Sequence, residues 1–284
     1  MSRKASVSAF LVWRWDGRSI VPHAEGMPLS DRGFRYGQHL FESIAIRHSQ
    51  PLLVPEHLDL MAAAAKRHGF PWSRTLAAAL NRFIGSIPGS DGMLRIYLTA
   101  GEGAPGAPIR HAGCYITWEP AHFPTEAEVA KGFRLTVLKR PFLGAHWGEK
   151  SGNYTEHLTA LTSARADSAD EGIILDAKGH AISCAMGNLI VWLRSRNGIV
   201  LCTPPIARGA RSGAVLCWVK KNTLVMERDL RRGHLKKAVA MAVTNSRLGV
   251  MPVSSLDGVI LQDPSLSLEL SHSYLEHHGL LRRS

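Results

Sequence analysis

The sequence predicts an α+β protein of two domains, and three observations carry that prediction. Up to residue 120, short strand-like stretches surround two helical ones. A stretch from Glu119 to Gly132, bearing Pro120, Pro124 and three glutamates, then interrupts the pattern. Beyond it, one helical segment precedes a run of short strands that starts at Gly172. The 284 residues suffice for two modest domains, and an apolar fraction of 45% suffices to fill their cores. These features assign residues 1–120 to an N-terminal α/β domain, 121–132 to a linker and 133–284 to a β-rich C-terminal domain.

In the first domain, Ala9 to Arg14 alternates as a strand. Asp16-Gly17 is a hairpin turn, and Ser19 to Pro22 is the return strand. Leu29 to Gly37 is a polar, glycine-bounded turn region, and Leu40 to Arg47 is a further strand. Pro55 opens a helix over about Glu56 to Arg67, closed by Gly69. A second helix spans about Arg74 to Ile84, and Met93 to Ala100 and Cys114 to Trp118 complete an antiparallel sheet. The glycines of Gly101-Glu102-Gly103, with Gly106, resemble a phosphate loop. The P-loop lysine and a βαβ setting are lacking, so the stretch reads as a flexible substrate-side loop.

In the second domain Phe133 to Lys139 alternates as a strand. A loop then leads to Glu149-Lys150-Ser151-Gly152-Asn153-Tyr154, where Asn153 is placed to cap a helix carrying Leu158, Leu161 and Ala164. Ile173–Leu175, His180–Ser183, Leu189–Leu193 and Ile199–Cys202 read as strands, with turns at Lys178-Gly179 and Asn197-Gly198. A helix over about Ser212 to Lys220, a strand over Ala238 to Val243 and a terminal helix after Pro264 follow.

Composition narrows the function. The four cysteines show no CxxC pairing, which points to reduced thiols in a cytoplasmic protein and to no zinc site. No signal-peptide core follows Met1 to Ser8, and no apolar run approaches the ~20 residues of a membrane span. The net charge of +11 admits nucleic acid or an anionic small molecule as partner. The basic residues are scattered without an RNP motif or zinc finger, which favours an enzyme surface over nucleic-acid binding.

A lysine at a helix start with a tyrosine one turn away is a candidate for chemistry, and the landmarks around Lys150 strengthen it. They are Asp31-Arg32-Gly33-Phe34-Arg35-Tyr36-Gly37, Phe41-Glu42-Ser43, Glu56-His57-Leu58, Asn153-Tyr154, Asp170-Glu171-Gly172-Ile173, Asn188-Leu189, Thr203-Pro204-Pro205 and Thr244-Asn245-Ser246. In this order and spacing the chain, from about Val12 to Val259, resembles the class IV aminotransferases, the fold-type IV pyridoxal-phosphate (PLP) enzymes. That family includes branched-chain and D-amino-acid aminotransferases and 4-amino-4-deoxychorismate lyase. The stretch Asn245 to Val253 looks most like the lyase branch.

The resemblance implies the two-domain fold-type IV architecture, a PLP cofactor, a small amino or anionic substrate, and a homodimer. It makes Lys150 the Schiff-base lysine and proton shuttle, with Tyr154 beside it. Ser183, Asn188, Gly213, Ala214, Asn245 and Ser246 would line the cofactor, with Ser246 on its phosphate. Tyr36, Arg95 and Arg247 would face the substrate.

The pattern is broken where the cofactor would sit. The family arginine three residues beyond the helix histidine is Leu60, and the glutamate that pairs with the pyridine nitrogen is Ser183. The threonine of the phosphate turn is Val215, the following arginine is Leu216, and a substrate-facing arginine is Ala100. A hydrogen bond from a charged group contributes ~1.5–3 kcal/mol, and leucine cannot imitate the bidentate grip of arginine. These losses weaken PLP anchoring by several kcal/mol, roughly more than a hundredfold. Three readings follow: a PLP lyase or aminotransferase with a thinned site, an enzyme of the same fold that has abandoned PLP and uses Lys150 as base or nucleophile, and a non-catalytic binding protein. His57, His146 and Cys184 are further candidates that read more readily as structural.

Overall fold

The computed structural model describes residues 10–87, 90–139 and 148–281, which divide into two compact units, Met1–His122 and Phe123–Ser284. His146 and the loop read before Lys150 lie outside the described residues.

In the first unit the elements are β1 (Leu11–Trp15), β2 (Ile20–Pro22), α1 (Arg32–Tyr36), β3 (His39–Arg47), β4 (Gln50–Pro51), α2 (Val54–Arg67), α3 (Arg74–Ser86), β5 (Gly92–Thr99) and β6 (Gly113–Pro120). The strands form one sheet in the order β2-β1-β6-β5-β3-β4, with every pair antiparallel. Alternation decides the faces: Leu40, Ile44 and Ile46 of β3 join Leu94, Ile96 and Leu98 of β5 in a core completed by Met61, Leu76 and Leu80 of the helices. Ser73 caps α3 through its hydroxyl on Leu76 N–H at 3.0 Å. The polar turn region around Arg32 contains a short helix, because Asp31 accepts the Gly33 N–H and Gly37 ends the turn in the left-handed region.

The second unit contains α4 (Glu126–Lys131), β7 (Phe133–Val137), α5 (Thr155–Ala166), β8 (Glu171–Leu175), β9 (Ala181–Cys184), β10 (Asn188–Ser195), β11 (Gly198–Thr203), α6 (Ala214–Asn222), β12 (Met226–Glu227), α7 (Arg232–Leu235), β13 (Ala238–Asn245), β14 (Gly249–Leu256), β15 (Val259–Ile260) and α8 (Ser265–His277). The main path of its sheet runs β12-β11-β10-β13-β14-β7-β8-β9, with β15 paired to β14. The sheet curls, since Ala181 N–H at the β9 edge donates to the Leu230 carbonyl at 2.7 Å and His180 bridges Arg231. Ile173, Leu189, Val191, Met241, Val243 and Val253 fill its interior. Ala160 and Ala164 of α5 lie against Ile174 and Ile182 on the other side.

Two local readings need correction. Residues 126–131, assigned to the linker, form α4, because Thr125 and Glu128 make a reciprocal capping box that the compositional break concealed. Tyr154, rather than Asn153, occupies the N-cap of α5 and makes no side-chain cap bond, while Leu158 is exposed. Its small alanines, Ala160 and Ala164, seat this helix, which leaves the leucine spacing a poor guide to its buried face.

Candidate active site in the second unit

Four segments of the second unit converge. They are residues 148–154 ahead of α5, the turn between β9 and β10, the stretch 206–213 ahead of α6, and the turn between β13 and β14. Gly148, at φ +82°, lies against the 209–210 backbone, where an added Cβ would come within 3.4 Å of the Ala210 carbonyl oxygen. The Lys150 stretch is thereby seated beside the stretch that ends in Arg211-Ser212-Gly213. Gly213 is required in turn, since any Cβ there would collide with the Asn188 side-chain oxygen.

Tyr154 is tied to this stretch by a residue that sequence reasoning missed. Arg211 Nη1 donates to the Tyr154 hydroxyl at 2.7 Å, and the guanidinium lies 5.7 Å from the centre of the tyrosine ring. His157, one turn into α5, stacks on the same ring at 4.6 Å and pairs its Nδ1 with the Ala185 carbonyl at 2.8 Å. Burial, followed by the charge of Arg211, pushes the His157 pKa down to about 4, so the imidazole is neutral at physiological pH. Asn188 closes the arrangement, with its amide N–H donating to the Arg211 carbonyl. The signal available in the sequence was a second basic residue, Arg211, two positions before the glycine of the phosphate turn.

Beneath the β9–β10 turn lies Glu171, 2% exposed. Its Oε2 accepts the Met186 N–H at 2.9 Å, while its Oε1 is buried with no hydrogen-bond partner among the described residues. Burial pushes this carboxyl up to about 7, against smaller opposing effects from the Met186 and Gly172 N–H groups and from Arg211 and Arg165. The turn is also held by Asn245, whose amide donates to the Met186 carbonyl at 3.2 Å and whose oxygen accepts the Leu248 N–H at 2.8 Å. Arg247 is exposed in the turn between β13 and β14, with Glu128, Arg165 and Glu171 among its charged surroundings. Ser183 is 4% exposed, and Ala214, Val215 and Leu216 are buried at the start of α6. The N-cap of α6 is Gly213, which has no side chain to cap the first N–H groups of the helix.

The profile of the family described as Amino-transferase class IV matches residues 39–256, most of the chain. This protein is a class IV aminotransferase family member. It is 25% identical over 243 residues to the aminodeoxychorismate lyase of Vibrio harveyi, covering 81% of this chain and 87% of that one. Among solved structures, the branched-chain amino acid aminotransferase from Escherichia coli superposes with a TM-score of 0.79 at 21% identity, over 97% of each chain. The 4-amino-4-deoxychorismate lyase from Pseudomonas aeruginosa does so with a TM-score of 0.76 at 24% identity, over 94% of this chain and 98% of that one. The architecture is the fold-type IV fold that the sequence predicted.

Of the remaining expected residues, Tyr36, His57 and Arg95 lie in the first unit. Arg95 is half-buried and ion-paired with Glu119 across β5 and β6. Tyr36 is 43% exposed, with the Arg35 guanidinium 5.1 Å from its ring centre. His57 is buried and hydrogen-bonded to Glu42 at 2.7 Å, which explains it as a core histidine. Cys184 is fully buried, with its thiol pushed well above the usual range by burial and then by Glu171. The stretch read as a flexible loop at Gly101 is instead clamped: Arg32 donates to the carbonyls of Ala100 at 2.8 Å, Gly101 at 3.4 Å and Ala107 at 2.7 Å. Among the described residues no group of histidines, cysteines and carboxylates could hold a metal, and no helix is long and apolar enough to cross a membrane.

Proposed function

We propose that this protein is a PLP-dependent enzyme of the lyase or aminotransferase type that acts on a small amino substrate through Lys150, in the manner of 4-amino-4-deoxychorismate lyase. The observation that carries the reading is the seating of the Lys150–Tyr154 stretch against residues 209–213, where Arg211 meets Tyr154 and Asn188 meets Arg211. The donor set fits a phosphate-bearing pyridine aldehyde: uncapped N–H groups at the start of α6, Ser246, and a lysine amine. Tyr154, Ser183, Asn188, Gly213, Ala214, Asn245 and Ser246 would line it. When bound, this group supplies the electron sink for bond cleavage next to the substrate nitrogen.

The chain's own residues divide the rest of the work. Lys150 would take and return a proton at its Nζ, and its amine would hold the cofactor aldehyde. Tyr154, oriented by Arg211, donates its hydroxyl hydrogen towards the ligand. Ser183 offers a neutral hydroxyl where relatives place a carboxylate, which lowers the electron demand the site exerts. Arg247 is a proposed substrate contact. The family resemblance further suggests a homodimer, and the cysteine pattern a cytoplasmic setting.

A second reading rests on the uncharged, buried Ser183, Val215 and Leu216. In it the fold has given up the cofactor, and Lys150 acts as a base or amine nucleophile with Tyr154 beside it. One experiment separates the two. The purified protein is titrated with PLP, reduced with borohydride and mapped by mass spectrometry, alongside Lys150→Ala. A visible band that borohydride removes, with pyridoxyl mass on Lys150 and none in the variant, is expected. An unchanged spectrum at saturating cofactor sinks the first reading and leaves the second.

A further inference from the structure

We infer that Arg231, His180 and His234 form an acid-sensitive latch on the 206–213 stretch, closed while both histidines are neutral and loosened when either takes up a proton. The latch stands on its own geometry, and only its bearing on Lys150 rests on the function proposed above. Donor arithmetic fixes the protonation states. Arg231 Nε donates to His180 Nε2 at 3.1 Å, and the Arg231 backbone N–H donates to His234 Nδ1 at 3.1 Å. Both Arg231 groups are donors only, so each ring nitrogen must present its lone pair. The hydrogen of neutral His180 is then on Nδ1, where it meets Asp176 Oδ2 at 3.3 Å.

The latch joins three segments of the second unit. Arg231 is the N-cap of α7, and the adjoining Leu230 carbonyl accepts the Ala181 N–H at 2.7 Å, which pins this segment beside the β8–β9 turn. Asp176 in that turn also accepts the N–H groups of Lys178 and His180, each at 2.8 Å. Arg208 ties in the third segment. It grips both oxygens of Asp229, the second at 2.5 Å, and lies 3.7 Å from Asp176. Arg208 belongs to the stretch whose Gly209 and Ala210 backbone seats Gly148 ahead of Lys150.

Charge shows why a single proton matters. Burial opposes it, but the N–H groups of His180 and Lys178 hold the Asp176 carboxyl below its ordinary range, and Arg208 does the same for Asp229. Both carboxylates thus stay ionised and balance the guanidiniums of Arg208 and Arg231, while Lys178, Arg228 and Arg232 are exposed around them. His180 is 5% exposed. A proton on its Nε2 brings an unbalanced charge into a desolvated place and sets two donors, Nε2–H and Arg231 Nε–H, against each other. A proton on His234 Nδ1 likewise removes the acceptor of the Arg231 backbone N–H. Both bonds end on one residue, so either proton frees part of the hold on Arg231.

The test uses the full-length protein without added cofactor. Nitrogen chemical shifts of the histidine rings are followed from about pH 8 to about pH 5, the interval in which histidine charge changes. Amide hydrogen exchange, corrected for the intrinsic effect of pH, is read over the same interval. At the upper end His180 should carry its hydrogen on Nδ1 alone. As the pH falls, protection in 206–213 and 229–235 should drop by roughly three- to tenfold relative to β13, the worth of about one hydrogen bond. The double variant His180→Gln with His234→Gln offers uncharged acceptors and should show no such drop. A hydrogen on His180 Nε2 at the upper end, constant protection in the parent, or a drop confined to 229–235 overturns the latch. An equal drop in parent and double variant does so too. If the double variant does not fold, the parent's ring shifts and exchange decide by the same criteria. A failed borohydride test would remove the cofactor reading and leave these readouts untouched.

Discussion

Each unit buries a charged group in a glycine-bearing turn region, and the two are treated in opposite ways. In the first unit Arg32 is 1% exposed, yet its guanidinium meets three backbone carbonyls, and the neighbouring Asp31 accepts the Gly33 N–H and the Thr99 hydroxyl at 2.7 Å. In the second unit Glu171 is 2% exposed, with one oxygen bonded and the other buried without a hydrogen-bond partner among the described residues. A satisfied buried charge is a clamp that fixes backbone. A half-satisfied one is held at a cost, its ionisation displaced into the working pH range, and such groups concentrate where ligands bind. Arg32 is accordingly read as architecture and the Glu171–Arg211 region as machinery.

The sharpest way to break that contrast is Arg32→Ala. It leaves the carbonyls of Ala100, Gly101 and Ala107 without their donor and should cost about 3–5 kcal/mol of stability, read from urea midpoints. Pyridoxyl labelling of Lys150 in the folded fraction should persist. A loss below ~1 kcal/mol would show that water replaces the guanidinium and that the clamp is not structural.

Glu171→Gln comes next. The folded carboxyl titrates at about 7 against an ordinary 4.5, so between those values the native state binds more protons than the unfolded chain. Its contribution is complete below the ordinary value and is lost as pH rises through the folded one, a decline of up to roughly 3 kcal/mol. Glutamine cannot ionise, so the variant should match the parent near pH 5 and exceed it near pH 8, in denaturant titrations at the two pH values. Parallel pH profiles would mean that Glu171 is ionised throughout and that its buried oxygen finds a partner in solution.

His157 shows a displacement of similar size and the opposite sign. Its pKa is depressed from 6.5 to about 4, so its contribution is present above the ordinary value and lost as pH falls through the folded one. The nitrogen chemical shifts of its ring should report a neutral imidazole at pH 5. A midpoint near 6.5 would place the ring in solvent and detach Tyr154 from its stack.

Much of the fold was legible in the sequence, because period-two alternation, turn glycines and Pro55 are local signals. The helix at Glu126–Lys131 was not, since two prolines and three glutamates resemble a linker until Thr125 and Glu128 are seen to cap one another. Lys150 and Tyr154 could be singled out because a family pattern fixes their order. Arg211 could not, because its partner Tyr154 is 57 residues away and no spacing rule links them.

The sequence by itself determined the family and the α+β plan, and it put forward Lys150 together with neutral residues at positions 60, 183 and 216. Only tertiary structure decided that the glycine-rich stretch after Ala100 is clamped by Arg32, that Glu171 is buried with its carboxyl pushed up to about 7, and that Arg211 meets Tyr154. The reason is physical. Residue type fixes which hydrogen bonds and charges a side chain can offer, whereas desolvation and partner geometry exist only once distant segments have been brought together.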